Sequence, residues 1–453
     1  MVSHVVRKCL TIAGLDSGGG AGIIADIKTF AALGVWGMAT ITSVTAQNTR
    51  GVFGIQDIHP DIIKKQIRVV VEDIGVDAAK TGMLHTREII NTVVEEVSNW
   101  DFPIVVDPIM VAKSGDPLMR DDARDALIRR LIPLAKVVTP NIPEAEVITG
   151  FKIRDLEGMK RAAKSIVENL GCEAVVIKGG HLEHKKTFDV LYHAGEFYVF
   201  ERERISTRNT HGTGCTYSAA ITAELAKGAK IRDAVETAKN FTHLSIMYGY
   251  AIGGGHGPVN HMAWLYRESE RYSLIRELSL AIEEILSDCG YVDLIPEVGM
   301  NIALASNYAI DPQDIVAVPG RIRSGGNRIL ACGCPEFGVS RHLSSYILTA
   351  RRYDRSIRAA VNIRYDDAIL ERLKGMGLKI SSYDRSREPE EIKKVEGMTI
   401  SWGTRVAIEK TGFVPDVIYH KGDYGKEPMI VILGRDINDL INILRMLKNK
   451  EKH

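Results

Sequence analysis

At 453 residues the chain is longer than one hydrophobic core usually organises, so two domains are expected. With 45% hydrophobic and 25% charged residues, the composition is that of a globular protein rather than a disordered or fibrous one. Lys and Arg (58) balance Asp and Glu (57) to a net charge of +1, which argues against nucleic acid as a partner.

Val5-Val6 is followed at once by Arg7-Lys8, and Asp16 interrupts the next apolar run, which is not a secretory pattern. No uncharged apolar stretch has the roughly 18–20 residues of a spanning helix, so no membrane partner is expected. The cysteines, at 9, 172, 215, 289, 332 and 334, form no C-x-x-C pair and no zinc spacing. Their scatter suits a reducing compartment, and a cytoplasmic location is expected.

In chain order, Leu10–Ala13 reads as a strand, Gly20–Leu33 as a helix and Met38–Ala46 as a β-branched strand. Asp61–Glu72 has helical spacing. Ile104–Asp107, Lys136–Thr139 and Ala174–Lys178 read as short buried strands. Thr187–Tyr192 and Glu196–Phe200 flank His193-Ala194-Gly195 as a hairpin, and Thr213–Ala226 and Ile231–Tyr248 follow as two helices. Repeated β-then-α units predict an α/β fold, a mostly parallel sheet with helices on both faces. After the glycines of 253–258 a charged helical stretch, Trp264 to Ser287, leads into a second, smaller α/β region. That region has turn signals at Ser324-Gly325-Gly326-Asn327 and Lys421-Gly422-Asp423. The expected division is 1–265, a helical connection over 266–285, and 286–453.

Asp16–Gly22 places glycines where a strand turns into a helix, which allows close approach of a ligand. It lacks the Gly-Lys-Ser/Thr of a P-loop. Gly20-x-Gly22-x-x-Ala25 lacks the acidic residue expected about 20 positions on from a dinucleotide fingerprint. A plain tight turn and a ligand loop remain equally open. Asn209–Thr216 puts glycines just before a helix, where exposed N–H groups and the dipole would hold anionic oxygens. Cys215 in its first turn suits a base that takes an alcohol proton, or else a small core residue. Asp107 and Glu144, at strand ends, suit a magnesium site. Thr139–Glu144 reads equally as a capped helix start.

Thr11-Ile12-Ala13-Gly14, Asp16–Gly22, Ala25–Phe30, Thr45–Thr49, Lys80–Leu84, Asp107–Gly115, His211–Ser218 and Gly255–Val259 together resemble the hydroxymethylpyrimidine (phosphate) kinases of the ribokinase superfamily (the ThiD type). The resemblance spans about 1–265. It implies a ribokinase-like fold and two successive ATP-dependent phosphorylations of 4-amino-5-hydroxymethyl-2-methylpyrimidine. It further implies that Gln47 hydrogen-bonds the aminopyrimidine, with Gly14, Asp26 and Met83 lining the pocket. Cys215 matches the catalytic base, and Gly212, Thr213 and Gly214 the anion hole. Asp107 and Glu144 match the Mg²⁺-associated acids, acting through water. Lys178, Gly179, Gly180 and the glycines of 253–258 are implied near the nucleotide, and a homodimer is implied. Leu15 stands where Ser is common in the family.

In the C-terminal half, Pro319–Arg323 and Ser340-Arg341-His342 gather cations near small residues, which suits phosphate or diphosphate. Asp416–Lys426 reads as a loop, and Arg351-Arg352 as a solvated helix face. Leu294–Asn301, Pro319–Ile322, Phe337–His342 and Val414–Tyr419 resemble the ThiN-type thiamine-phosphate synthases over about 280–453. That resemblance implies condensation of the pyrimidine diphosphate with hydroxyethylthiazole phosphate. Arg321 and His342 fall at its catalytic positions, and Asn301, Gly320, Ser340 and Arg341 are further binding candidates. Two alternatives to a bifunctional enzyme stay open: a kinase fused to a thiamine-phosphate sensor, and a vitamin-B6 kinase.

Overall fold

The computed structural model describes residues 5–448 except 113, 183, 327, 394–396 and 424. The parts of the sequence motifs that fall on Lys113, Asn327, Tyr424 and 449–453 lie outside the described residues. The chain divides into two compact units, Met1–Leu265 and Tyr266–His453.

The first unit runs β1 (Lys8–Asp16), α1 (Gly22–Ala32), β2 (Trp36–Gln47), β3 (Val52–Asp57), α2 (Pro60–Asp73), β4 (Ala78–Thr81), α3 (Arg87–Val97), β5 (Ile104–Val106), α4 (Asp121–Ala126), β6 (Val137–Val138), α5 (Ile142–Thr149), α6 (Leu156–Leu170), β7 (Ala174–Lys178), β8 (Lys186–His193), β9 (Glu196–Glu203), α7 (Thr213–Ala226) and α8 (Ile231–Met247). Its nine strands form one sheet in the order β3-β2-β1-β4-β5-β6-β7-β8-β9. The run from β2 to β7 is parallel, and β3, β8 and β9 pair antiparallel at the two edges.

Alternation along each buried strand feeds two cores. Leu10, Ile12, Ile104 and Val106 face one, beneath α2, α3 and α6. Cys9, Val105, Val137 and Val176 face the other, beneath α7 and α8. The hairpin turns on Ala194 (φ 51°) and Gly195 (φ 83°), the left-handed pair that suits a two-residue connection.

The second unit runs α9 (Ala263–Ser269, at the boundary), α10 (Arg271–Ser287), β10 (Asn301–Ala305), β11 (Ile315–Ala317), β12 (Ile322–Gly325), β13 (Arg328–Ala331), β14 (Glu336–Phe337), α11 (Arg341–Arg351), β15 (Ala359–Arg364), α12 (Asp367–Gly375), β16 (Ile380–Ser382), α13 (Glu390–Lys393), α14 (Met398–Thr411), β17 (Val417–His420), β18 (Met429–Gly434) and α15 (Ile437–Leu447). Seven strands form a mixed sheet, β14-β11-β10-β15-β18-β17-β16, and β12 with β13 makes a separate hairpin. The same two-face rule holds. Ile302, Leu304 and Ile432 enter one core, and Ala303, Ala305 and Val431 the other.

Three expectations change here. The stretch expected as a connection contains α10, whose Leu274, Leu278, Ile282 and Ile285 are buried in the second unit's core, so it is a structural helix of that unit. Arg351 is not on a solvated face: it is buried, and its guanidinium donates to the carbonyls of Arg355 (2.9 Å), Ile357 (3.0 Å) and Asn307 (2.6 Å). Its neighbour Arg352 is exposed. The segment expected as a loop over Asp416–Lys426 is strand β17 over Val417–His420, paired on both sides, and its described residues from Lys421 on lie outside the sheet.

Candidate active site

In the first unit, strands β1, β4, β5, β6 and β7 end on the same side of the sheet. Their carboxyl ends, with the start of α7, enclose a cavity of about 640 Å³. This is where an open parallel sheet leaves backbone groups and loop side chains free to meet a ligand.

The loop after β1 is organised by its own first residue. The Asp16 carboxylate is 3% exposed and accepts the N–H groups of Gly18 (2.8 Å), Gly20 (3.1 Å) and Ala21 (2.9 Å). Its Oδ2 also pairs with His211 Nε2 at 2.8 Å, across 195 positions of sequence. Burial pushes the Asp16 carboxyl up, but the His211 contact and the backbone donors outweigh it and hold it below its usual range. Gly22 (φ 55°) must be glycine, since a Cβ there would lie 2.3 Å from the Gly14 carbonyl oxygen. The glycine loop is thus locked to the segment that leads into α7.

Gly212 (φ 81°) is the N-cap of α7, and a Cβ on it would fall 1.8 Å from Gly20 O. Glycine lets these two loops touch, and Gly212, Thr213, Gly214 and Cys215 at the start of α7 line the cavity, with Thr213 N–H bonded to Thr210 O at 3.3 Å. Lys178 Nζ meets Asp107 Oδ1 at 3.0 Å; Thr139 (3.1 Å) and Ser218 (3.2 Å) donate to the same carboxylate. Burial opposes ionisation of Asp107, yet Lys178 and Lys80 hold it below the ordinary carboxylate range. Glu144 behaves oppositely. Burial, joined by the Asp107 charge and opposed by Lys178, pushes it up to about 7.

The capped helix start is realised: Asn141–Glu144 is a capping box, Glu144 N to Asn141 Oδ1 at 2.9 Å and Asn141 N to Glu144 Oε2 at 2.8 Å, and Glu144 also lines the cavity. Among the described residues no cluster of three or more His, Cys, Asp or Glu could cage a metal. Two acids on the wall of this cavity fit magnesium that would enter with a nucleotide and be met through water.

Cys215 sits in the first turn, buried, and burial pushes its thiol up to about 12, with Lys80 pulling the other way. Desolvation therefore outweighs the helix end, and the resting group is a thiol.

Gln47, Gly14, Met83, Lys178 and Gly180 line the same cavity, as does Leu15. Thr45 Oγ1 donates to Gln47 Oε1 (3.1 Å) and fixes the amide. Asp26 is not among the lining residues. It is fully buried on α1, bonded to Thr11 (2.6 Å) and Lys80 (2.8 Å). Gly179 is also off the cavity wall; its Cβ would strike Phe188 O at 2.1 Å. The glycines of 253–258 pack against Thr49 and Arg50, and Gly257 O and Val259 N bracket His211. They brace the anion-hole segment rather than line the cavity.

In the second unit, Arg321 adopts φ 75°, one of two non-glycine residues in the left-handed region among those described. The bends at Gly320 and Arg321 are held between ladder bonds: Ile322 N to Met300 O (2.7 Å) and Cys332 N to Arg321 O (3.0 Å). Arg321 Nη1 donates to Val298 O at 2.7 Å. Asn301 is spent on structure, its side chain bonding Val318 N and O and Ile302 N. Ser340 caps α11 through Leu343 N (3.4 Å), Arg341 is exposed, and His342 lies in the first turn of that helix.

Residues 16–260 match the family model described as phosphomethylpyrimidine kinase, more than half of the chain. The chain belongs to the phosphomethylpyrimidine kinase family. Its C-terminal part, residues 277–446, matches the model of thiamine-phosphate synthase ThiN. A hydroxymethylpyrimidine/phosphomethylpyrimidine kinase of Bacillus subtilis is 46% identical over 261 residues, covering 57% of this chain and 96% of that protein. The thiamine biosynthesis bifunctional protein ThiED of Geobacter sulfurreducens is 46% identical over 254 residues, 56% of this chain and 52% of that protein. Among solved structures, an ADP complex of Bacillus subtilis pyridoxal kinase is 41% identical with TM-score 0.53, covering 56% of this chain and 97% of the other.

Within this kinase unit, sequence reasoning did not name Asp16 or His211 among the site residues, and both line the cavity. An Asp before a glycine run is a signal for a turn cap. Nothing local marks His211 as its partner, because the two meet only through the fold.

Proposed function

We propose that the kinase unit phosphorylates 4-amino-5-hydroxymethyl-2-methylpyrimidine with ATP, then phosphorylates the monophosphate to the diphosphate. The C-terminal unit then condenses that diphosphate with hydroxyethylthiazole phosphate, releasing pyrophosphate and giving thiamine phosphate. The observation that carries the first half is the convergence on one cavity of Gln47, the glycine-capped start of α7 and Cys215. The match of residues 277–446 to ThiN supports the second.

In the first step the substrate hydroxyl forms the new O–P bond as the bond from the γ-phosphorus to the β-bridging oxygen breaks, and ADP leaves. The N–H groups at Gly212–Gly214, with Lys178, offset charge on the moving phosphoryl oxygens. Magnesium comes with the nucleotide as substrate, and Asp107 and Glu144 meet it through water. Gln47 orients the aminopyrimidine and Cys215 takes the hydroxyl proton. Since burial keeps the resting thiol protonated, only the thiolate fraction does this, and kcat/KM rises with pH through the neutral range. A flat profile between pH 6 and 9 would remove Cys215 as the base.

In the second step Arg321 and His342 face the departing diphosphate. A homodimer and a cytoplasmic setting belong to this reading; among the described residues no helix is long and apolar enough to cross a membrane. The deciding assay supplies the pyrimidine alcohol, ATP, Mg²⁺ and thiazole phosphate to the purified chain. Thiamine phosphate is the expected product. Pyrimidine diphosphate alone would leave a kinase joined to a sensing domain. The 41% identity to a pyridoxal kinase favours a second activity on pyridoxal. A kcat/KM for pyridoxal above that for the pyrimidine would reverse the assignment.

A further inference from the structure

The C-terminal unit carries buried polar groups that nothing in the fold uses. His342 stacks at 5.4 Å on Tyr346, one turn along α11. The Tyr346 hydroxyl meets the Tyr383 hydroxyl at 3.0 Å, and the Tyr383 ring lies 5.3 Å from that of His420, at the end of β17. Arg385 follows Tyr383 by two residues, in a short turn capped by Asp384. Three separate segments thus bring two imidazoles and a guanidinium together.

His342 Nε2, His420 Nε2, Arg385 Nε and Ser344 Oγ are all buried without a hydrogen-bond partner. Arg385 is 8% exposed and pairs with no carboxylate among the described residues. Arg351, equally buried in the same unit, donates to three carbonyls. A buried guanidinium Nε–H with nothing to bond is costly, so its partner is to be sought in a ligand.

We propose that Arg385 and His420 join Arg321 and His342 in one site that binds the oxygens of a diphosphate group. The proposal rests on the reading that Arg321 and His342 face that anion, and it adds two residues that no sequence motif marked.

Electrostatics agree. Burial, with Arg321 and Arg385 nearby, pushes His342 down to about 4; burial, with Arg385 and His342, pushes His420 down to about 3. Both are neutral at pH 7 without ligand. The other groups facing them are the Tyr346 and Tyr383 hydroxyls, raised by burial and so protonated. Glu388 acts on Tyr383, and its Oε1 is also unpartnered. A bound polyanion raises both imidazoles, so binding takes up protons.

Calorimetric titration of the full chain with inorganic pyrophosphate, in two buffers of different ionisation heat, tests this. Orthophosphate serves as the second probe. Pyrophosphate is expected to bind at least tenfold more tightly than orthophosphate, with proton uptake that falls in His420→Asn. Arg385→Met is expected to weaken pyrophosphate binding at least tenfold while leaving the unliganded Tm unchanged or higher; a structural arginine would lower it. Arg385→Lys, which keeps charge but not the fork, recovers part of the affinity. Pyrophosphate binding unchanged in Arg385→Met, or a lowered Tm with no recovery in Arg385→Lys, overturns the proposal. If Arg321→Ala alone weakens binding, the anion site stands without Arg385. If neither variant does, the reading of Arg321 falls too. Pyrophosphate held in the kinase cavity would appear equally in every variant.

Discussion

Beside the kinase cavity, buried carboxylates meet partners: Asp107 an ammonium, Lys178, at 3.0 Å, Asp26 another, Lys80, at 2.8 Å, and Asp16 the imidazole of His211 at 2.8 Å. The anion-binding groups proposed there are mostly backbone, set by glycines at the start of α7. In the C-terminal unit the corresponding groups are side chains, and Arg385 lies buried with no carboxylate paired to it among the described residues. A site made of main chain can stay neutral and wait for its substrate with little electrostatic strain. A site made of unpaired cations is completed by the ligand, so there stability and binding pull apart.

The predictions that sharpen this contrast run from large to small. Cys215→Ala is expected to lower kcat for pyrimidine phosphorylation by ~10²–10⁴-fold with little loss of thermal stability, because the change is small and the thiol's hydrogen bond is to backbone, at Gly22. Steady-state kinetics and a melting curve on the same preparation check both halves. Gly212→Ala should cost about 3 kcal/mol or more, since the methyl would meet Gly20 O at 1.8 Å in a left-handed backbone. Denaturant unfolding reads this. A near-neutral result would mean the contact between the two loops is dispensable.

Arg351→Met should cost about 2–4 kcal/mol by stranding three carbonyls, while the same change at Arg385 costs none. Equal losses at both positions would erase the distinction between a structural and a ligand-seeking arginine.

Glu144→Gln keeps the capping box but removes the titration. A carboxyl raised to about 7 from 4.5 contributes stability below pH 4.5 that is lost as pH rises through 7. The variant should therefore match wild type at pH 4 and exceed it at pH 8 by on the order of 1–3 kcal/mol. A deficit at pH 8 would mean that the Lys178 partnership outweighs burial.

Much of the kinase site was legible because its parts are short contiguous runs with their own local physics. Glycines before a helix announce an anion hole, and Asn141–Glu144 announces a cap wherever it sits in a fold. Asp26 shows the limit: its motif pointed to the pocket, but α1 turns it inward onto Lys80 and Thr11. Arg351 shows the converse, a charged helical position that reads as solvated until the carbonyls of Asn307 and Ile357 are brought to it. The C-terminal elements were harder to read because strands such as Ile315–Ala317 and Ile380–Ser382 are only 3 residues each, too short to show a period.

The sequence by itself determined the α/β class, the kinase motifs and the segments that can bind phosphate, because turn chemistry and two-residue alternation act within a few positions. Only the tertiary structure decided which charges meet. His211 reaches Asp16 across 195 positions, and Arg385 and His420 come to His342 from separate segments, because ion pairing depends on distance in space and on burial, neither of which a linear chain contains.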